Sequence, residues 1–167
     1  MKPFQKVLSS LENALKSDAH NGGEWVRADD SQRYNQILKP LSKLMHANVN
    51  RTLYKNLIQG EDNGEDGNVC NCLLALATAA GNEQLWKPLN HAILLSCGHD
   101  SRSEIRNAGV GLLLKVLQTL GEEYMVLLPE CLPVLSELLE DTDEAISGMA
   151  KECVQLGEDL LGEELAL

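Results

Sequence analysis

A thiol, an imidazole and a carboxylate lie within four consecutive residues, in the segment Cys97-Gly98-His99-Asp100. These groups are the components of a cysteine-based nucleophilic site, in which a neighbouring base activates the thiol. Such a site requires the fold to bring the base beside the thiol, and closeness in sequence does not meet that requirement. The segment is better explained as a buried cysteine at a helix end, a turn glycine, an exposed histidine and a structural aspartate. We therefore predict no catalytic residue and no enzymatic activity.

Other residues that could bind metals or phosphates also lack the required spacing. Cys70 and Cys72 point about 200° apart on a helix, and no second cysteine pair follows at zinc-site spacing. No i, i+4 pair occurs among the four histidines: His20, His46, His91 and His99. The glycine motifs that cradle phosphates are missing, and the acids of 140–144 lack the glycine and final glutamate of a calcium loop. The sequence thus predicts no metal, no cofactor and no small-molecule substrate.

One basic group of side chains could bind a charged partner. It consists of Lys39, Lys43, Arg51 and Lys55, with Tyr54 beside it. Such clusters neutralise phosphates when a protein binds RNA, and they also attract acidic peptides. Charged residues on a helix usually face water without any partner, and we favour this simpler interpretation. The four cations remain candidate partner or RNA contacts.

The net charge of −11 is concentrated at one end of the 167-residue chain. Residues 121–167 contain 13 acids and one base, whereas residues 1–120 contain 12 acids and 13 bases. Because an acidic surface repels phosphate backbones, we expect no direct nucleic-acid contact in the C-terminal third.

The cysteines and the apolar runs indicate the cellular compartment in which the protein is expected. The five cysteines are an odd number and lie in predicted helices or at their ends, which is typical of reduced thiols in a cytosolic or nuclear protein. No apolar run approaches the length of a membrane span, and the first residues lack the pattern of a secretory signal. We therefore expect no membrane association.

Apolar residues recur at helical spacing along most of the chain. The spacing predicts helices over 2–17, 51–59, 68–80, 83–97, 102–120 and 143–161. A further helix is predicted to begin after a cap at residue 30 or 31. Gly22-Gly23 breaks the pattern, so we expect a loop over 18–29. Pro40 should bend its helix or remove one hydrogen bond. Residues 60–67 are acidic and contain no apolar side chain, which predicts a mobile loop.

Two stretches of the chain are copies displaced by 41 residues. Adding 41 to Ile105, Ala108, Gly109, Leu112 and Val116 gives Ile146, Met149, Ala150, Cys153 and Gly157. A period of about 40–47 residues indicates paired helices of the HEAT or armadillo kind. We therefore predict an all-α, HEAT-like helical repeat (α-solenoid), whose function lies on exposed faces. The small residues Gly109 and Ala150 predict close helix packing, and Gly121 and Gly162 are expected to be left-handed helix caps.

Each copy resembles a HEAT repeat, with a proline near the start of the first helix and an aspartate in the turn. Asp100, followed by Arg106, fits that pattern, and Asp141 is the equivalent of Asp100. In HEAT proteins such residues form a ladder between repeats, so the resemblance implies a structural ladder of Asp100, Arg106 and Asp141. Ser147 stands where the second arginine would be. We therefore expect the ladder to stop there and the last copy to be a C-terminal capping segment.

The repeat pattern suggests how the chain is organised. We expect 1–167 to be a single HEAT-repeat domain, with partial N-terminal helices over 1–58 and an acidic loop over 59–67. The clearest repeat units are 68–121 and 122–164. In HEAT arrays the second helices usually line the concave face, so Lys115 and Gln118 are further candidate partner contacts.

The resemblance extends beyond the generic repeat to one family. The matching runs are Leu85-Trp86-Lys87-Pro88-Leu89-Asn90, Leu120-Gly121-Glu122-Glu123-Tyr124, Val126-Leu127-Leu128-Pro129-Glu130 and Glu137-Leu138-Leu139-Glu140-Asp141. Together they resemble the C-terminal region of the U3 small nucleolar RNA-associated protein 10 family, also called HEAT repeat-containing protein 1. The resemblance is best over 68–164. Family members are many times longer, so the chain would be a C-terminal fragment or a truncated relative.

The family resemblance implies a function and a location. Its members are nucleolar scaffolds of the small-subunit processome and act in the maturation of 18S ribosomal RNA. We therefore expect a scaffold segment in the nucleolus that binds other processome proteins, and U3 small nucleolar RNA or pre-ribosomal RNA indirectly. The alternative is a generic HEAT or armadillo adaptor in transport or phosphatase assembly.

Overall fold

The computed structural model describes residues 3–60, 67–98 and 100–167. Within these ranges the chain forms helices, turns and bends but no strand, as the apolar spacing predicts. Most of the predicted acidic loop over 59–67 lies outside the described residues. The chain divides into two compact units, with the boundary between Leu89 and Asn90. None of the described helices is long and apolar enough to cross a membrane.

The first unit is built around one buried helix. It contains α1 (Pro3–His20), α2 (Glu24–Arg27), α3 (Gln32–Leu44), α4 (Arg51–Tyr54), the π-helical turn Lys55–Gln59, α5 (Val69–Ala80) and the beginning of α6 (Glu83–Ser96). Nine of the 12 residues of α5 are buried, and all nine are apolar, as expected of a helix that is covered on every side. The Asn68 side chain caps its first turn by accepting a hydrogen bond from the Asn71 amide at 2.8 Å.

Tertiary contacts hold the other helices of this unit against α5 and α6. Helix α1 buries Leu8 and Leu15, and the Cys72 thiol of α5 donates a hydrogen bond to the Leu8 carbonyl at 3.2 Å. The Tyr34 hydroxyl of α3 donates to the Leu85 carbonyl. Because these side chains are buried and hydrogen-bonded, α3 has a fixed position in the unit.

The predicted loop over 18–29 is partly wrong. Helix α1 continues to His20, and residues 24–27 form the short helix α2. The cause is Asp18, whose carboxylate accepts hydrogen bonds from the amides of Trp25 and Val26, each at 3.0 Å. These bonds satisfy N–H groups at the start of α2 and allow one helical turn to form after Gly22-Gly23. Helix α3 also continues through Pro40 to Leu44.

The second unit contains the clearest copies of the repeat. Its elements are the end of α6, α7 (Ser103–Leu120), the 3₁₀ segment Gly121–Leu127, α8 (Leu128–Leu139) and α9 (Glu144–Leu161). Helices α7 and α9 each have 18 residues, and both their first and their last residues are 41 positions apart. The periodicity seen in the sequence therefore corresponds to equivalent helices.

Two glycine predictions for this unit have different outcomes. A Cβ atom on Gly109 would lie 2.9 Å from the Cys97 sulfur, which confirms the predicted close approach of helices at this position. Gly162 is a left-handed cap, as predicted, with φ 73° and ψ 22°. Gly121 has φ 60° but ψ −134°, so the prediction of a left-handed cap there is wrong. It begins the 3₁₀ segment, which turns the chain directly into α8.

Candidate interaction surfaces

Helix α3 presents a polar row to solvent. Gln32, Gln36, Lys39 and Lys43 are exposed, and their spacing of three or four residues places them along one face. The opposite face buries Tyr34, Leu38 and Leu41. The two predicted lysines of α3 are therefore neighbours on a surface whose underlying helix is anchored by its apolar side.

Helix α4 and the π-helical turn that follows it carry the other two predicted cations. Arg51 and Lys55 are exposed, whereas Tyr54 between them is fully buried. The Tyr54 hydroxyl donates a hydrogen bond of 2.7 Å to the carbonyl of Met45, the residue after α3. Tyr54 is therefore a core residue and cannot be part of a binding surface, contrary to its placement beside the basic cluster. Its hydrogen bond anchors α4 beside the end of α3 that carries Lys43.

An aromatic residue that we did not select from the sequence lies near the other end of α3. The Trp25 side chain is 50% exposed, and the guanidinium carbon of Arg33 lies 4.9 Å from the centre of its ring. Arg33 also donates to the Trp25 carbonyl at 3.4 Å and lies 3.7 Å from the carboxylate of Asp29. Trp25 and Arg33 thus form an ordered cation–π pair with one part of the ring open to solvent.

The sequence gives no clear signal for the backbone conformation between Trp25 and Arg33. Asp29, Asp30 and Ser31 all have positive φ angles, between 52° and 67°. Non-glycine residues rarely adopt this conformation, and three in succession are rarer still. The clue in the sequence was a tryptophan within the predicted loop over 18–29, since large aromatics on a surface often mark contacts.

A shallow depression lies at the start of α4. It has a volume of about 730 Å³ and is lined by Asn50, Arg51, Thr52, Leu53 and Asn56. The Asn50 carboxamide caps α4 by accepting from the Leu53 amide at 2.8 Å. Four of the five lining residues carry polar side chains, so a polar group that enters the depression has hydrogen-bond partners within it.

The predicted ladder residues Arg106 and Asp141 contact each other in the second unit. The Arg106 Nε and Nη2 atoms donate to the two Asp141 carboxylate oxygens at 2.8 and 3.2 Å, and Nη1 donates to the Ser101 carbonyl at 2.6 Å. Their side chains are only 16% and 9% exposed. Hydrogen bonding from Arg106 is the main factor that lowers the pKa of the Asp141 carboxyl. A role of Asp100 in the ladder stays a prediction.

The remaining predicted contacts, Lys115 and Gln118, are exposed on α7. They lie three residues apart and therefore on neighbouring positions of one helix face. Their role as partner contacts stays a prediction.

The thiols of the chain are unsuited to nucleophilic chemistry. All five cysteines are buried. Burial raises the pKa of Cys72 and of Cys153 to about 12 and that of Cys131 to about 11. Burial also raises the pKa of Cys97, the thiol of the four-residue segment examined first, whereas His99 of that segment lies outside the described residues. Because the thiolate is the nucleophile, the raised pKa values make these four cysteines poor nucleophiles near neutral pH.

Comparison with known proteins agrees with the repeat pattern. No family model matches the chain. HEAT repeat-containing protein 1 of Homo sapiens is 39% identical over 94 residues, which are 56% of this chain and 4% of that protein. U3 small nucleolar RNA-associated protein 10 of Aspergillus terreus is 30% identical over 169 residues, 95% of this chain and 9% of that protein. The chain resembles both proteins.

A third relative shows that the similarity extends along nearly the whole chain. An uncharacterized protein of Arabidopsis thaliana is 30% identical over 162 residues, 96% of this chain and 7% of the relative. The similarity to HEAT repeat-containing protein 1 and the equivalent helices α7 and α9 together confirm an all-α helical repeat fold. The chain spans less than a tenth of each of these relatives. Its correspondence to their C-terminal region stays a prediction.

Proposed function

We propose that this chain is a HEAT-repeat scaffold segment of a small-subunit processome protein. In this role it binds other processome proteins in the nucleolus during the processing of 18S pre-ribosomal RNA. The observation that carries the proposal is the 30% identity to U3 small nucleolar RNA-associated protein 10 over 95% of the chain. The repeat fold supports it, because stacked helix pairs offer extended faces to other macromolecules.

A scaffold role also fits the chemistry of the side chains. Burial raises the pKa of four of the buried thiols, which disfavours their nucleophilic form, and Arg106 and Asp141 hydrogen-bond to each other. The exposed cations, in contrast, lie on helix faces where a large partner can reach them. We therefore propose a binding protein rather than an enzyme, with Lys115 and Gln118 of α7 among its protein contacts.

Affinity purification tests the proposal. The tagged 167-residue chain is expressed in cells that make the corresponding processome, and the bound RNA and proteins are identified. We expect enrichment of U3 small nucleolar RNA and early assembly factors over a tagged HEAT protein of unrelated function. Recovery of karyopherins or phosphatase subunits at the level of the chain itself, with U3 RNA at background, would contradict the proposal and favour a generic adaptor.

A further inference from the structure

The first unit contains a local excess of positive charge. Residues 32–59 hold five bases and no acid, although residues 1–89 as a whole hold ten of each. Four of the five bases, Lys39, Lys43, Arg51 and Lys55, are exposed. A surface of this kind attracts polyanions. The segment itself contains no carboxylate, and Asp29, just before it, lies 3.7 Å from Arg33.

These cations lie on consecutive elements of the first unit. Arg33 lies over Trp25 near the start of α3, Lys39 and Lys43 follow on the exposed row, and Tyr54 anchors α4 beside the end of α3. Lys39 and Lys43 are one helical turn apart, about 6 Å along the helix axis. We call Trp25 and the five cations Arg33, Lys39, Lys43, Arg51 and Lys55 the α3–α4 surface.

Trp25 gives the α3–α4 surface a feature that charge alone does not supply. Trp25 is 50% exposed, and the Arg33 guanidinium lies over its ring. An ordered aromatic ring beside a basic track is the arrangement on which unpaired bases stack. An acidic peptide would use the lysines but would gain little from the ring. A base-paired duplex keeps its bases stacked on one another and could not use the ring either.

From this arrangement we infer that the α3–α4 surface binds single-stranded RNA. A base stacks on Trp25, the phosphates lie along Lys39 and Lys43, and the depression at Arg51, Thr52 and Asn56 accepts a further phosphate. The lysines act as point charges, whereas the Arg51 guanidinium and the Thr52 hydroxyl donate hydrogen bonds to phosphate oxygens. This inference deepens the proposed function and rests on it, because it gives the scaffold segment its own contact with RNA.

Salt-dependent binding tests the phosphate contacts. The full chain is titrated against a fluorescent, unstructured RNA oligonucleotide of mixed sequence at several salt concentrations. We expect Lys39→Gln/Lys43→Gln to bind more weakly and to flatten the slope of log K against log salt by about 1.4, or about 0.7 for each lost phosphate contact. The control Lys6→Gln/Lys87→Gln removes two exposed lysines of α1 and α6 and should leave the slope unchanged.

Substitution of Trp25 tests the stacking contact. Trp25→Ala should weaken binding by about five- to 150-fold, the range for the loss of one stacked base, and should leave the salt slope unchanged. Trp25→Phe keeps an aromatic ring and should retain most of the affinity. Circular dichroism establishes that each variant is as helical as the wild type.

Three results would overturn the inference. They are no salt-dependent binding by the wild type, an unaltered slope in the Lys39→Gln/Lys43→Gln variant, or an affinity for duplex RNA or poly-glutamate that equals the affinity for single-stranded RNA. Any of these, obtained while the purified chain still enriches U3 RNA and assembly factors, would reject the RNA surface and leave the proposed scaffold function intact. Failure of that enrichment would instead reject the proposed function.

Discussion

Arg33 and Arg106 each lie near the start of a helix, but their guanidinium groups have opposite environments. The Arg33 side chain is 36% exposed, stacks on a half-exposed tryptophan and lies 3.7 Å from an exposed aspartate. The Arg106 side chain is 16% exposed and binds both oxygens of Asp141. The same residue type near the start of a helix can therefore be exposed in one unit and mostly buried in the other.

The two arginines should differ in how much their ion pairs contribute to the free energy of unfolding. Ion pairs at a surface contribute little because water screens them, whereas breaking a mostly buried pair leaves a charge without its partner. We therefore expect loss of Arg106 to affect folding and loss of Arg33 to affect RNA binding. The following predictions test this contrast, from the largest effect to the smallest.

Replacement of Arg106 should have the largest effect on stability. Arg106→Ala removes three hydrogen bonds and leaves the Asp141 carboxylate without its cation, so we expect the free energy of unfolding to fall by about 3 kcal/mol. Arg33→Ala is the matched control and should cost about 1 kcal/mol or less. Urea denaturation followed by circular dichroism measures both. Equal losses would remove the distinction between the two arginines.

A second contrast compares a packed glycine with an open one. A Cβ on Gly109 of α7 meets the Cys97 sulfur and the Ser96 Cβ at 2.9 and 3.0 Å, whereas a Cβ on Gly148 of α9 has no neighbour within 4 Å. Gly109→Ala should lower the free energy of unfolding by about 1–2 kcal/mol through overpacking. Gly148→Ala should raise it by about 1 kcal/mol, because alanine favours the helix. Thermal denaturation would contradict this packing if Gly109→Ala were as stable as Gly148→Ala.

The Arg106–Asp141 pair should also make stability depend on pH. Hydrogen bonding to Arg106 lowers the pKa of Asp141 below its usual value of 3.8 in the folded protein. The resulting stabilisation is present above the unfolded pKa and is lost as pH falls through the folded pKa. Between about pH 5 and pH 2 the wild type should therefore lose more stability than Asp141→Asn. If the urea midpoints of the two proteins fell in parallel as the pH is lowered, the Asp141 carboxylate would not contribute to the pH dependence of stability.

Substitutions on the exposed face of α7 should change stability least. Lys115→Ala/Gln118→Ala should alter the free energy of unfolding by no more than about 0.5 kcal/mol, since both side chains are exposed. If these residues contact protein partners, the same variant recovers fewer assembly factors in the purification. Lys151→Ala, at an exposed lysine of α9, is the control. Equal recovery by both variants would exclude Lys115 and Gln118 as contacts.

Local patterns predicted the parts of the fold that depend on local interactions. Apolar spacing located α7 and α9, and the 41-residue shift between Ile105 and Ile146 corresponds to helices with equivalent ends. Helix periodicity is visible in sequence because one face of each helix must be buried. The four basic residues are predicted as surface candidates on a different ground, because charged side chains usually face water.

The parts that were missed depend on side-chain contacts between residues seven to nine positions apart, which neither apolar spacing nor turn signals report. Asp18 caps α2 from the end of α1, and the Tyr54 hydroxyl reaches the Met45 carbonyl. The Trp25–Arg33 pair requires three successive non-glycine residues with positive φ, a conformation that local preferences disfavour. Such features arise because the surrounding structure outweighs local preference, and a single sequence does not report that balance.

The recovery of U3 small nucleolar RNA with the wild-type chain tests the central claim most directly. The measurement is the ratio of U3 RNA to an abundant cytoplasmic RNA in the purified material, compared with the same ratio for a tagged HEAT protein of unrelated function. A scaffold segment of the processome predicts a ratio well above that of the control. A ratio equal to the control, together with stoichiometric recovery of karyopherins or phosphatase subunits, would contradict it.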